Sequence, residues 1–384
     1  MTEQRTSIGF PVMREEPGER RAFLPHFIQQ LARIGFEVFL EEDYGLMLDF
    51  TFADYQAENP HVHSVSREKT YQQDYVLILR CPHKEEFDLV GRHSCLMSML
   101  HFPTRPIRTR LLKDKGIKAI SLDSIVNDFQ IRLVENMRAV AWNGLETVFS
   151  ELGKRYKHLV RKDNQPWQVM IMGTGMVGKQ AVDAATKFGR RDWNEAHMKN
   201  SGAGVLATSI GRNVTHHEEK MLTLLRKSHV IVDGTQRRDA SKPVIPNEWL
   251  AACQPDAVLV DLSVDPYTLD AEPPVVKGIE GIPQGNLDQY VFEVEDPKWK
   301  TAVPASIPSR NRRKTISCYS WPGIYPRRCM RLYGQQLLPL MRVLNQKAYD
   351  NLSADGPYFE RALYRARLDT FLAPKEYKIP EQTF

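Results

Sequence analysis

The chain has 384 residues, 42% of them apolar and 26% charged, which is a globular composition and excludes a disordered or collagen-like one. Lysine and arginine number 52 against 47 acidic residues, and a formal charge of +5 is too small an excess to call for a nucleic-acid partner. The five cysteines make no CxxC, MTEQRTSIGF lacks the order of a signal peptide, and YVLIL falls far short of the ~18 residues of a membrane span, so the expectation is a soluble, cytoplasmic chain of two domains with no disulfide framework, no metal site and no membrane contact.

TSIGFPV (6–12) reads as a strand, GERRAFLPHFIQQLARIG (18–35) as a helix stopped by Gly35, and FEVFLEE (36–42) as a second strand. DYVLILR (74–80), SCLMSMLHF (94–102) and GIKAISLD (116–123) are near-continuous apolar runs, the pattern of parallel strands buried on both faces. From Phe129 to Lys157 the pattern turns helical, and its length predicts a helix running between two domains. Past the polar break RKDNQPW (161–167), the runs QVMIMG, GVLATSI, HVIVDG and AVLVDLSVD form a second α/β unit. Beyond the basic loop SRNRRK, residues 325–346 are a last helix expected to return to the first domain. The fold class is therefore α/β, with two Rossmann-like doubly wound parallel sheets separated by a cleft and joined by long helices. One domain takes 1–135 plus 319–384, and the second takes 136–318.

The strongest local signal is QVMIMGTGMVGKQAVDAATKFG, in which Gly173, Gly175 and Gly178 form GxGxxG between a strand and a helix. The first glycine permits the turn, the second lets a diphosphate reach the backbone, and the third lets helix and strand meet. Met176 and Val177 lie within the loop, at a helix N-terminus that offers unpaired N–H groups to phosphates. Gly234 closes the strand HVIVDG and joins the expected cofactor site. The strand GVLATSI should end in an acid that grips the adenine ribose, but Ser209 stands there with Arg212 just after it. A serine beside an arginine suits a 2′-phosphate, so NADP(H) is expected over NAD(H).

Taken in order, these motifs resemble the family of alanine dehydrogenase, the dinucleotide-binding part of transhydrogenase, and lysine-forming saccharopine dehydrogenase, over roughly residues 7–345. REEPGERRAFLP resembles the family's opening, with Arg20 five residues before the proline. SMLHF resembles the strand that ends in a catalytic histidine, which implies that role for His101. MRAVAWNGLETVF resembles the helix joining the domains, and VDLSVDPY the strand leading to a functional aspartate, Asp265. ISCYSWPGIYPRRCMRLYGQQLLPLM is similar to the saccharopine dehydrogenase and lysine–oxoglutarate reductase branch. Two departures accompany the resemblance. The family's lysine on the strand before the histidine is absent from YVLILRCP, where Arg80 lies nearest, and Tyr319 stands where the saccharopine enzymes carry an acid.

The resemblance implies an NAD(P)H-dependent oxidoreductase on the CH–NH bond of an amino acid, reducing an imine formed from an amine and a 2-oxo acid. Its small-molecule partners would be an amino acid and a 2-oxo acid, with homo-oligomerisation left open. His101 would deliver the proton, since an imidazole titrates near neutrality. Arg20 and Arg80 would clamp carboxylates, although arginine cannot serve as a base. Asp265 would orient a water, the histidine or the cofactor. Against these stand ordinary roles: a buried strand-end histidine, surface salt bridges and a strand cap. The alternatives are an alanine-dehydrogenase-like reductive aminase using ammonia, and a regulatory protein that keeps the dinucleotide site without the chemistry. His216 and His217 before two glutamates, and His61 and His63 in HVH, match no zinc spacing and read as solvated.

Overall fold

A computed structural model describes residues 5–237 and 239–373. The chain divides into two compact units. The first holds the chain up to Glu15, then Glu19–Glu135 and everything from Pro326 onward; the second holds Glu16–Gly18 and Asn136–Tyr325. The return to the first unit falls later than the expected 318/319, because Cys318, Trp321 and Ile324 pack in the second unit's core.

The first unit is a six-stranded sheet of β1 (Ser7–Phe10), β2 (Glu37–Glu41), β3 (Val62–Val65), β4 (Tyr75–Arg80), β5 (Cys95–Met99) and β6 (Lys118–Ser121). Every pairing is parallel, in the order β3-β2-β1-β4-β5-β6. The continuous apolar run of β4 is buried from Tyr75 to Leu79, as a two-sided parallel strand requires. The first helix starts at Pro25 rather than Gly18. Proline sacrifices no hydrogen bond at a first helical position, and it keeps Leu24 extended before it. The helix Pro326–Gln346 buries Cys329, Met330, Tyr333, Leu337, Leu340 and Met341 in this unit's core.

The expected helix from Phe129 begins only at Met137, where the Asn136 side chain caps it by accepting the Ala139 N–H. Residues 126–132 instead close a turn through a Val126–Arg132 bridge. The helix Met137–Gly153 is not a connector. Its buried face, with Ala141, Leu145, Val148 and Phe149, belongs to the second unit's core.

The second unit carries β7 (Trp167–Met172), β8 (Val205–Ile210), β9 (Val230–Asp233), β10 (Val258–Asp261), β11 (Val291–Phe292) and β12 (Lys314–Ser317). Their order is β11-β12-β10-β9-β7-β8, parallel except for β11. The stretch 190–200 forms a helix, Arg191–Lys199, seated by the buried ring of His197 on the His158 carbonyl and the Gly204 N–H. In both sheets the chain order reverses beside the first strand, with β1 between β2 and β4, and β7 between β8 and β9. Such a reversal leaves a crevice at the carboxyl ends of the strands, where ligands of doubly wound sheets bind.

Candidate functional site

In the second unit, three glycines meet three separate demands where β7 ends. Gly173 has φ +111, and a Cβ there would stand 2.5 Å from the Gly234 carbonyl oxygen. A Cβ on Gly178 would stand 2.0 Å from the Gly173 carbonyl, so the helix Met176–Ala185 can meet β7 only without a side chain there. A Cβ on Gly175 would meet nothing within 4 Å. The protein's own packing therefore does not require that glycine, whereas a phosphate lying against the backbone does. No side chain caps the N-terminus of this helix, so its first N–H groups and partial positive charge face outward beside Met176 and Val177. Gly234 packs on Val177 and the Gly178 nitrogen, and the Ser209 hydroxyl donates to the Gly173 carbonyl at 3.3 Å. Arg212 is exposed and donates to the Gln236 carbonyl at 3.3 Å. Seven of the expected cofactor residues thus form or surround the loop directly, and Arg212 reaches the segment after Gly234. The residues fit the diphosphate of a dinucleotide.

At the neighbouring strand ends lies a buried polar cluster that sequence reasoning missed. Asp233 on β9 and Asp261 on β10 occupy paired positions, and both are fully buried. The Lys277 ammonium reaches Asp261 at 2.7 Å and the Asp265 carbonyl at 3.0 Å. Burial would raise the Asp261 carboxyl, but the charge and hydrogen bond of Lys277, with donors from Val264 and Ser263, hold it below the usual range. The Asp265 carboxylate is itself paired with Arg237 at 2.7 Å. It is thus a fixed carboxylate on a loop that Asp261 and Lys277 shape. The sequence signal was the matching ends VD of two apolar runs, which singly read as strand caps.

In the first unit, His101 follows β5 with φ 53 and ψ 45, a conformation that non-glycine residues seldom adopt. One carboxylate holds it there. Asp123 accepts the His101 backbone N–H at 3.1 Å and lies 3.1 Å from the ring Nδ1, while the Ser121 hydroxyl donates to it at 2.7 Å. Burial alone would raise the Asp123 carboxyl; the hydrogen bonds and charge of His101, with Ser121, hold it well below the usual range. Asp123 therefore fixes the direction of the ring. The other imidazole nitrogen belongs to a side chain that is 40% exposed.

Arg80 ends β4 opposite Met99 of β5, on the same sheet edge as His101. Of the two adjacent arginines, Arg20 is exposed and only its backbone N–H meets Glu19, whereas Arg21 is buried and its guanidinium forks onto the Glu19 carboxylate. The arginine that pairs with a carboxylate inside the protein is thus Arg21, while the side chain of the expected Arg20 stays exposed. Burial would raise Glu19, but pairing with Arg21 and the charge of Arg80 lower it. A further acid was not foreseen. Burial pushes the Glu15 carboxyl up to about 7, the charges of Glu86 and Glu19 add to this, and its Oε1 has no hydrogen-bond partner. Nothing in REEPGER marks which of its acids is buried.

Other features resolve into structure. His61 and His63 both meet Glu37 across the sheet edge, and His217 precedes the helix Glu218–Lys227. Among the described residues no group of His, Cys, Asp and Glu could hold a metal ion, and no helix is long and apolar enough to cross a membrane. A cavity of about 540 Å³ in the second unit, lined by Glu146, Arg190, Trp193, Tyr290 and Tyr325, includes none of the glycine-loop residues. In it Tyr325 donates to Glu146 at 3.0 Å and Arg190 lies beside Glu146 at 3.7 Å. Tyr319, beyond β12, gives its backbone N–H to the Gly285 carbonyl.

Residues 12–141 match the family described as Alanine dehydrogenase/PNT, N-terminal domain, and residues 160–267 its C-terminal domain. An alanine dehydrogenase of Methanococcus maripaludis is 24% identical over 279 residues, covering 67% of this chain and 72% of that protein. The NAD(P) transhydrogenase subunit alpha of Haemophilus influenzae is 20% identical over 377 residues, covering 91% and 68%. Among solved structures, an L-alanine dehydrogenase superposes with a TM-score of 0.68 at 18% identity, over 94% of each chain, which is a likeness of fold. The expected lean toward the saccharopine dehydrogenase and lysine–oxoglutarate reductase branch finds no support. The stretch that carried it, 316–341, lies beyond both matched segments.

Proposed function

From a chain that carries the N-terminal and C-terminal domains of the alanine dehydrogenase/PNT family, we propose a nicotinamide-dependent amino-acid dehydrogenase that reductively aminates a 2-oxo acid with ammonia, and runs in reverse. The observation that carries this reading is the His101–Asp123 pair at the carboxyl edge of the first sheet, on the edge that also bears Arg80.

When bound at the glycine loop, the dinucleotide would supply or accept the hydride. The chain's residues supply the rest. Ammonia adds to the oxo carbon and water leaves, giving an imine, and reduction to the amino acid takes one hydride and one proton. His101, fixed by Asp123, is the group suited to hold and pass that proton. Arg80, with Arg20 or the Glu19-paired Arg21 beside it, would hold the substrate carboxylate. Ser209 and Arg212 at the end of β8, with no acid between them, support NADP(H) as the preferred dinucleotide.

A second reading keeps the chemistry and replaces ammonia with an organic amine. The buried, unpartnered Oε1 of Glu15 favours it, since a second substrate ammonium would satisfy that atom. The test is oxidation of NADPH and NADH with a panel of 2-oxo acids, each with ammonia and with mono- and diamines. Turnover with ammonia supports the main reading, and turnover only with an organic amine replaces it by the second. Tight dinucleotide binding without turnover on any pair would leave a dinucleotide-binding regulator.

A further inference from the structure

The cluster beneath the glycine loop holds more carboxylate than it has donors to satisfy. Asp261 is fully provided for: Oδ2 takes Lys277 at 2.7 Å and Ser317 at 3.2 Å, and Oδ1 takes the Val264 N–H at 3.0 Å and Ser263 at 2.9 Å. Asp233 is not. Its Oδ1 accepts the Thr235 N–H at 3.0 Å and the Thr235 hydroxyl at 2.7 Å. Among the described residues, its Oδ2 faces only the Ser263 oxygen, at 3.3 Å. A serine hydroxyl has one hydrogen. If that hydrogen goes to the nearer Asp261, the Asp233 Oδ2 confronts a lone pair, and this contact becomes a hydrogen bond only when Oδ2 itself carries a proton. Gly278 stands directly against Oδ2, where a Cβ would come within 2.0 Å, so position 278 supplies no side-chain donor in place of that proton.

Charge leads to the same place. The groups facing Asp233 are Asp261 from β10, Lys277 beside Gly278, and Arg237 on its own segment, which Asp265 already pairs. The Lys277 ammonium pairs with Asp261 rather than with Asp233. Burial and the Asp261 charge push the Asp233 carboxyl up, to about 6.

Asp233 is also placed to matter. It lies opposite Met172, the last residue before the glycine loop, and it precedes Gly234, which packs on Val177 and Gly178 and whose N–H bonds the Met172 carbonyl. We infer that Asp233 is a proton-holding positioning residue of the dinucleotide site. Its neutral acid, bridged through Ser263 to Asp261, is the form that accepts an anionic dinucleotide, and affinity weakens as Asp233 ionises. Ionisation leaves one uncompensated negative charge beside the diphosphate cradle. Binding to the ionised form therefore takes one proton from solvent onto Oδ2, with no other bond made or broken. The inference rests on the glycine loop holding the dinucleotide.

The test is calorimetric binding of ADP-ribose, which has no phosphate titrating near neutrality, from about pH 5 to about pH 8 in buffers of different ionisation enthalpy. The full-length wild type is expected to take up a fraction of a proton and to lose at least about threefold in affinity across that range. Asp233→Asn should bind with neither the uptake nor the loss, and Ser263→Ala, which removes the acceptor of the Asp233 proton, should move the uptake to lower pH. Binding by the wild type without proton uptake, or uptake unchanged in Asp233→Asn, overturns the inference while leaving the dinucleotide site standing. Absence of ADP-ribose and NADH binding at every pH overturns both. If Asp233→Asn fails to fold, the wild-type uptake and its shift in Ser263→Ala decide.

Discussion

Asp123 holds His101 twice, accepting its backbone N–H at 3.1 Å with one oxygen and lying 3.1 Å from its ring Nδ1 with the other. A single carboxylate in the turn just after β6 thus sets both the unusual backbone of residue 101 and the direction of its ring. This separates what His101 does from where it is held. His101→Ala should abolish turnover and leave dinucleotide affinity unchanged, because the glycine loop is built from the other unit's residues. Asp123→Asn keeps the shape but removes the carboxylate that orients the ring, and it should cost about 10²–10⁴ in kcat. Steady-state kinetics with a parallel dinucleotide titration check both; full activity in Asp123→Asn would remove the pair from the mechanism.

The two adjacent arginines make a sharper test. Arg21 is buried on Glu19, so Arg21→Met strands a buried carboxylate and should cost about 3 kcal/mol in urea unfolding, together with a raised KM for the oxo acid. Arg20→Ala removes an exposed side chain and should stay within about 0.5 kcal/mol. Equal effects of the two would show that the clamp is not at Arg21.

Which parts were readable from sequence follows from how local each one is. The glycine loop was legible because spacing, strand and helix all fall within one short segment, and each glycine there meets a separate steric demand. His101 was legible as the polar end of an apolar strand, with the resemblance naming its role. That Arg21 rather than Arg20 is the buried one was not legible, since neither the count of residues to a proline nor the pair of arginines reveals which one turns inward. Asp123, Asp233 and Lys277 were not legible, because their meaning lies in hydrogen bonds across strands or to distant loops. The long helix was misplaced for a related reason. Helical periodicity continues through Phe129, but the Asn136 cap and the turn before it win locally.

Cofactor choice turns on the end of β8. Arg212 is exposed beside Ser209, with no acid in SIGR to repel a 2′-phosphate. Arg212→Ala should weaken NADPH by more than about 1 kcal/mol and spare NADH, as loss of one charge-assisted contact would. Fluorescence titration of both reads this directly. Unchanged affinities for both would place the ribose elsewhere.

Two glycines should fail in different ways. Gly178→Ala puts a methyl 2.0 Å from the Gly173 carbonyl and should lower stability by several kcal/mol, seen as a lower melting temperature before any ligand is added. Gly175→Ala meets nothing in the protein, so its melting temperature should hold while dinucleotide affinity collapses. A Gly175→Ala protein that binds normally would show that the diphosphate does not approach this backbone.

The buried Asp233 also has a signature in stability without ligand. Burial and Asp261 raise its carboxyl in the folded protein to about 6, against an ordinary value of 3.8. The folded state therefore keeps a proton that the unfolded state releases, and stability falls as pH rises through that window, then levels off once both states are ionised. The loss amounts to something on the order of 3 kcal/mol. Asp233→Asn has no proton to lose, so its unfolding free energy should lack this decline, and the gap between the two proteins should change steadily between the two values. Parallel urea curves at several pH values measure it. A constant gap across the window would mean that Asp233 is ionised throughout, and the shared Ser263 hydrogen would then have to serve both carboxylates by turns.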